Sequence, residues 1–563
     1  MVNIVYKKNG RIIEFSIDLL NEFNGYLYHV YRCLAFRVCT FMILSFSIGI
    51  IADYKGGIGE VEAKKTEAKS KKDKQKMRVK KTKPKKKRRR SRKRIRKKRD
   101  FKKEPSLSLS SLKKSYDRAL KKKALKDAKV GYILRRLDTG ETLLEHQADV
   151  LFHPASNTKV VTTAAAYKIL GPNERFVTRW YLSDVTNKEK VILYWRASGD
   201  PKIVPKTFEE VAKTVKSTLI KQKRPLRIDE LIIDDEGFTQ TYLAPGYDQK
   251  PEDDAAYRAS NGGVGFQFNR FTTSFKPSKN IGKAPIVSFN PSIPYFQLNN
   301  KGKTNRKGKE KLQLSAIESS DNQSMMIKVG GTIPRKHKRV STARRVGNPI
   351  QFAGQSLLYY LTKKGIRVGY RVLRGQIPKH LQPIKVHKSP IMSSLIKDIN
   401  VYSNNYMAEQ LLLAMGMRVR GVAGWRDGVL VVKSYLDAIV GIHGYSYVNG
   451  SGLFGEIAFS PRMLTDVLIK AYQESSGEFR DLLPRAGKEG TLKKRLRKLP
   501  RGAFNGKTGT LDQVSTLCGY LTTRESEELV LCLMMNDYLV KTWSIRSAQD
   551  ELVSFAWLLR TKK

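Results

Sequence analysis

Residues 64 to 103 hold 26 Lys or Arg and only three acids, Glu67, Asp73 and Asp100. A run such as Lys85-Lys86-Lys87-Arg88-Arg89-Arg90 repels itself and offers almost nothing apolar to bury, so this stretch cannot join a packed core. Folding is confined to what lies on either side. The tract supplies +23 of a formal net charge of +56, and the other 523 residues carry 81 basic and 48 acidic side chains, an excess of +33. A moderately basic protein therefore carries a very basic tether, expected to be disordered within a linker over 53–128. Such a run matches any polyanion. It contains one aromatic, Phe101, and so has no stacking platform for single-stranded nucleic acid. We read it as a solvated linker that clings to an anionic envelope polymer, and set nucleic acid aside as a partner.

Ahead of the tether, residues 1–52 read as a signal peptide or membrane anchor. From Leu34 to Ala52 the chain is apolar apart from Arg37 and a few small polar residues, and the uninterrupted part, Val38 to Ala52, is 15 residues long. That is short for a membrane span and typical of a signal-peptide core, with Arg32 and Arg37 before it and the small Ala52 at its end. The expectation is export, to the periplasm or the outer face of the cytoplasmic membrane. A hydrophobic content of 40% excludes a wholly disordered chain and a polytopic membrane protein. Four cysteines in this length cannot form a disulfide scaffold, and Cys518 and Cys532, beside two predicted strands, read as small buried hydrophobes.

Beyond the tether the pattern becomes that of a folded enzyme. Lys129 to Leu137 alternates like a strand, Asp138-Thr139-Gly140 is a turn, and Glu141 to His146 reads as the return strand. Then Ser156-Asn157-Thr158-Lys159 runs into an apolar helical stretch closed by Gly171-Pro172. Ser156 and Lys159, three apart, share one face of a first helical turn, which suits a serine nucleophile with a lysine base. The helix N-terminus also turns backbone N–H groups toward an oxyanion. S-x-x-K alone is weak in a Lys-rich chain: Ser110…Lys113, Ser111…Lys114 and Ser394…Lys397 also match, and none is expected to open a comparable helix. Two further motifs add specificity. Ser403-Asn404-Asn405 gives S-x-N before a helical run, and Lys507-Thr508-Gly509 is the only K-T-G, before two strand-like runs. Ser320-Asp321-Asn322 also spells S-x-N, but without a helix start, and is assigned to chance. The seven His are scattered and no Cys/His cluster exists, so neither metal nor cofactor is expected.

S-x-x-K, S-x-N and K-T-G in this order resemble the penicillin-recognising acyl-serine transferases. TGETLLEHQAD, PASNTKVVTTAAAYKILGP, ASGDP, YSNNYMAEQLL, NGSGL and EGTLKKRL…NGKTGTL narrow the resemblance to the class C low-molecular-mass penicillin-binding proteins, a D-Ala-D-Ala carboxypeptidase/endopeptidase family. It covers about residues 129 to 560. It implies an α/β (α+β) fold: a transpeptidase-like domain over 129–196 and 387–563, with an antiparallel sheet flanked by helices. Ser156 and Ser403 are 247 residues apart, far more than a helical cluster needs, so a mainly β insert is expected over 197–386.

The resemblance also implies an activity: hydrolysis of peptidoglycan stem peptides through a Ser156 acyl-enzyme, with β-lactam antibiotics as covalent inhibitors. It casts Lys159 as base, held neutral by burial and by the charge of Lys507. Ser403 would relay a proton to the leaving amine, and Asn405 would hold the substrate amide and orient Lys159. Lys507 and Thr508 would bind the terminal carboxylate. Gly509 would let substrate approach the strand, and the Ser156 and Thr510 N–H groups would form the oxyanion hole. A rival is a low-turnover peptidoglycan- or polyanion-binding scaffold on the same fold, which the intact motifs disfavour. Two residues depart from the family's usual Asp-Gly-Ser-Gly-Leu-Ser: Asn449 and Phe454. His153 reads as a packed or exposed loop residue without a catalytic role.

Overall fold

Strand-forming residues concentrate near both ends of the enzyme-like region, and they meet in one sheet. The computed structural model describes residues 2–8, 11–17, 104–184, 190–249 and 253–561. The apolar segment 34–52 and the basic tract 64–103 lie outside these residues. Among the described residues no helix is long and apolar enough to cross a membrane. Val2–Lys8 and Arg11–Ile17 pair as an antiparallel hairpin in a unit of their own.

In the larger unit the central sheet has five antiparallel strands in the order Phe504–Leu511, Val514–Thr522, Glu528–Asn536, Lys129–Arg136, Thr142–His146. Its inner strands are covered on both faces, which is why VSTLCGYLT and LVLCLMMN read as near-continuous apolar runs. Ile133, Tyr520, Val530 and Met534 face one core with Thr158–Leu170, Asn405–Arg420 and Pro461–Glu474. Leu134, Leu517, Leu531 and Leu533 face a second core with Leu109–Leu120 and Thr542–Trp557. Cys518 and Cys532 lie within these strands, directly opposite one another, and are joined by a disulfide with an S–S length of 2.08 Å. They are buried, as small hydrophobes would be, but they are also bonded.

The linker expected over 53–128 is corrected at its C-terminal end. Leu109–Leu120 is a helix capped by Ser108, whose side chain accepts from the Ser111 N–H. Leu112, Tyr116 and Ala119 form its buried stripe, and Tyr116 donates to the Leu552 carbonyl at 3.0 Å. Lys113, Lys114, Asp117 and Arg118 occupy the exposed face, so the charge that resembled linker is the polar side of an amphipathic helix. The chance S-x-x-K matches are corrected with it. Ser110 and Ser111 open this helix and Ser394 opens Met392–Tyr402; what separates them from Ser156 is that Lys113 and Lys114 are exposed and Lys397 half-buried, whereas Lys159 is fully buried, not the want of a helix.

Between the motifs stands a second core built on a five-stranded sheet ordered Arg367–Arg374, Arg227–Asp234, Ile192–Arg196, Val177–Leu182, Lys385–Lys388. The first three strands are parallel, and the helices Pro205–Lys221 and Pro349–Thr362 carry the crossovers and pack on them. Two smaller sheets complete this region. The inserted sheet thus starts at Val177, ahead of the expected position 197, because Trp180 and Trp195 pair in register and their rings, tilted at 33°, pack together in the inserted core. It is also less purely β than expected. Ser320-Asp321-Asn322 is the turn between Lys311–Glu318 and Met325–Pro334.

Candidate active site

Ser156 lies in a tight turn, Ala155–Asn157, that feeds directly into Thr158–Leu170. Ala155 has φ 48°, a left-handed conformation costly for a residue with a Cβ. Several contacts hold it there. The Ala155 N–H donates to His153 Nδ1 at 3.0 Å, and burial lowers the His153 pKa, which keeps that nitrogen an acceptor. Asn157 donates to Thr516 Oγ1 at 2.7 Å, and Thr516 donates onward to the Pro154 carbonyl at 2.7 Å. Two glycines let neighbours close on the turn. A Cβ at Gly509 would stand 2.1 Å from Thr516 Oγ1 and 2.5 Å from the Pro154 carbonyl. At Gly452, with φ 73°, a Cβ would stand 2.0 Å from the Ala155 carbonyl. Gly509 therefore serves close packing of the strand on the nucleophile turn, a reason different from the substrate approach expected for it.

The helix after the turn is buried nearly all round, as its apolar sequence requires. This takes Lys159 fully out of water. Its Nζ lies 2.7 Å from Asn405 Oδ1, 2.6 Å from the Ser451 carbonyl and 3.2 Å from Ser156 Oγ. Burial lowers its pKa to about 7, opposed by the charge of Glu409. Lys507, expected to help, is itself pushed well down, by burial first and then by Lys159. Glu409 is fully buried and accepts from the Gly450 and Ser451 N–H groups at 2.8 and 2.9 Å. Burial raises its pKa.

Ser403 closes the helix Met392–Tyr402 in a left-handed conformation, φ 53°, and Asn404 caps the next helix by accepting from Met407 N–H at 3.1 Å. S-x-N thus occupies a helix-to-helix corner. Asn405 accepts from Lys159 with one end of its amide and donates to the Tyr257 carbonyl at 3.0 Å with the other. Lys507, on the edge strand Phe504–Leu511, donates to Ser403 Oγ at 2.9 Å and to the Thr508 carbonyl at 2.8 Å. Thr508 bonds Thr491 at 2.9 Å, and Thr510 accepts from Arg546 at 2.9 Å. The fold therefore gathers all eight sequence-predicted residues. Ser156, Ser403, Thr508 and Thr510 line one cleft of about 580 Å³. A second cleft, of about 820 Å³, is lined by Ser403, Asn405, Tyr257 and Tyr402. Among the described residues no cluster of His, Cys, Asp and Glu could hold a metal.

Two participants escaped sequence reasoning. Glu409 was marked only by being an acid four residues after Asn405 in an apolar helix. Ser451, which offers Lys159 a backbone carbonyl, left no side-chain signal of that contact. The two departures concern the same loop. Asn449 is buried and donates to the Pro245, Leu453 and Phe454 carbonyls at 3.0 to 3.2 Å, while its Oδ1 accepts from Gly452 N–H at 3.0 Å. A carboxylate could not make those donations. Phe454 places its ring edge-on to Tyr247 and under Arg258, both from the region between the motifs.

Packing against the nucleophile turn makes Gly509 sensitive to a single methyl group. Gly509→Ala is expected to cost about 1–3 kcal/mol in denaturant unfolding, the usual range for overpacking, and to slow modification of Ser156 by an active-site acylating reagent at least tenfold. Unchanged acylation would mean that the strand does not set the turn.

A family model described as "D-Ala-D-Ala carboxypeptidase 3 (S13) family" matches residues 112–558. The chain is 28% identical over 439 residues to a D-alanyl-D-alanine carboxypeptidase of Actinomadura sp. (strain R39), covering 74% of this chain and 80% of that one. It is 22% identical over 444 residues to the D-alanyl-D-alanine carboxypeptidase DacB of Haemophilus influenzae, covering 77% and 91%. The crystal structure of penicillin-binding protein 4 from Haemophilus influenzae superposes with a TM-score of 0.68 at 21% identity, over 80% of this chain and 99% of that one. The match begins inside Leu109–Leu120 and ends just past Thr542–Trp557, so it takes in both terminal helices along with the three motifs. The chain belongs to the D-Ala-D-Ala carboxypeptidase 3 (S13) family of serine peptidases.

Proposed function

We propose that this protein hydrolyses D-Ala-D-Ala-type stem peptides of peptidoglycan through an acyl-enzyme on Ser156. The observation that carries the reading is the set of partners around Lys159. A neutral amine has two N–H donors and one lone pair. Asn405 Oδ1 and the Ser451 carbonyl are acceptors only and take the two donors, at 2.7 and 2.6 Å. The lone pair is left for the Ser156 hydroxyl, 3.2 Å away. With its pKa brought to about 7, the amine is partly free of its proton at neutral pH and poised as a base.

In the first step Ser156 Oγ bonds to the carbonyl carbon of the penultimate D-Ala while its proton passes to Lys159 Nζ. The oxyanion is met by the Ser156 and Thr510 N–H groups. Collapse breaks the C–N bond, and the proton taken up by Lys159 passes through Ser403, whose Oγ also accepts from Lys507, to the departing amine, which returns Lys159 to its neutral form. Water then attacks the ester, gives its proton to the same base and frees Ser156. Asn405 holds the substrate amide. Lys507 and Thr508 bind the carboxylate next to the scissile bond; an anion arriving there favours the charged form of Lys507, and that charge in turn favours neutral Lys159. Names borne by the relatives support the same reaction, and one solved relative from Haemophilus influenzae is complexed with a β-lactam. A β-lactam is accordingly expected to acylate this chain. Work on the cell wall agrees with export guided by residues 1–52, and the basic tract 64–103 suits retention on an anionic envelope polymer.

A labelled penicillin should modify wild-type protein on Ser156, and Ser156→Ala should take up none; absence of label on the wild type would remove the enzyme reading. Deleting residues 64–103 should leave peptide hydrolysis nearly unchanged while weakening retention on sacculi, and retention by the intact chain should fall steeply with salt. Equal loss of hydrolysis would give the tract a place in the catalytic fold.

A further inference from the structure

The 580 Å³ cleft beside Ser156 is lined by Lys493, Lys494, Arg495 and Arg546, with no carboxylate among its lining residues. Two of these cations are already engaged. Arg495 is largely buried and bonds Asp550 at 2.6 and 2.9 Å. Arg546 donates to Thr510 Oγ1. Lys493 and Lys494 are exposed, and among the described residues neither has a carboxylate within ion-pair distance.

The segment that carries the two lysines is fixed. It follows the short turn Gly490–Leu492, whose Leu492 is fully buried, and Leu496 re-enters the same core. Thr491 bonds Thr508 on the edge strand. A Cβ at Gly490 would stand 2.2 Å from the Val401 carbonyl, two residues before Ser403. Lys493 and Lys494 therefore stand at a set position relative to Ser403 and Thr508, and the core gains nothing from their charge.

On the proposed reaction, Asn405 keeps the acyl part of the substrate in the 820 Å³ cleft, while the leaving group lies over Thr508 in the basic one. When the leaving group is a single D-Ala, it brings one carboxylate, and Lys507 with Thr508 already answers it. Two further cations then have no partner. A leaving group that is itself a second stem peptide carries additional carboxylates farther out along the cleft.

We propose that Lys493 and Lys494 form an anion subsite for the leaving group, selecting cross-linked stem peptides over single D-Ala release. The subsite rests on the acyl-enzyme reading above and specifies its substrate. Its attraction is between exposed charges, so it acts on capture and is screened by salt.

The test compares kcat/KM of the full chain on two substrates, a monomeric stem peptide ending in D-Ala-D-Ala and a D-Ala-cross-linked dimer. Measurements are made for wild type, for Lys493→Gln with Lys494→Gln, and for Lys493→Glu with Lys494→Glu. The dimer-to-monomer ratio should fall by about tenfold on charge reversal and by less on neutralisation, the size expected for rim charges that steer association. Raising the salt should lower the wild-type ratio toward that of the neutral variant. Penicillin acylation of the variants at the wild-type rate establishes that their active site is intact. A ratio unchanged by charge reversal, or equal losses on both substrates, would overturn the subsite while leaving the acyl-enzyme reading in place. A wild type that cleaves neither substrate and takes up no penicillin would overturn both.

Discussion

One buried amine organises this molecule. Lys159 has no access to water, so its nitrogen must be satisfied by protein, and the three groups that do so come from three distant parts of the chain. Asn405 comes from the start of one helix, Ser451 from a glycine-rich loop and Ser156 from the preceding turn. An ammonium could donate to all three, and a neutral amine could donate to two and accept from Ser156, so it is burial that favours the neutral form. The fold thus shifts a protonation equilibrium as well as fixing a position. Glu409 is the counterweight. Its charge favours the ammonium while burial disfavours it, which leaves the pKa near neutrality rather than far below it.

The surroundings of this amine explain why the residues next to it are small or conformationally unusual. The edge strand at Gly509 and the loop at Gly452 both press on the backbone around Ala155 at distances that exclude a side chain. Ala155 and Ser403 hold left-handed conformations immediately beside the two reactive hydroxyls. Such positions persist only where the surroundings over-determine them, here through His153, Thr516 and two helix ends. Preorganisation of Ser156 and Ser403 is therefore distributed over the central sheet and two helices.

Much of this was legible in the sequence, and the failures have physical reasons. The strand–turn–helix around Ser156, the helix start after Ser403 and the strands after Lys507 follow from local periodicity and terminators, which act over a few residues. Leu109–Leu120 was hidden because its polar face continues the charge of the tract before it, and only the Leu112–Tyr116–Ala119 stripe distinguishes the two. The start of the inserted sheet at Val177 depends on a pairing with Ile192–Arg196 and Arg227–Asp234 that no local signal encodes. Glu409, the Ser451 carbonyl and the packing reason for Gly509 are tertiary facts: each depends on which atoms meet across the fold. The bond between Cys518 and Cys532 depends on the strand register in the same way.

The central claim is that the fold itself holds Lys159 ready as a base. The most direct measurement is the rate of Ser156 acylation by a β-lactam across the pH range in which the protein stays folded. Because the base works in its unprotonated form, the rate should rise with pH and reach half its plateau near pH 7. A rising limb centred near the ordinary lysine value of about 10.4, or a rate that falls as pH increases through neutrality, would contradict it.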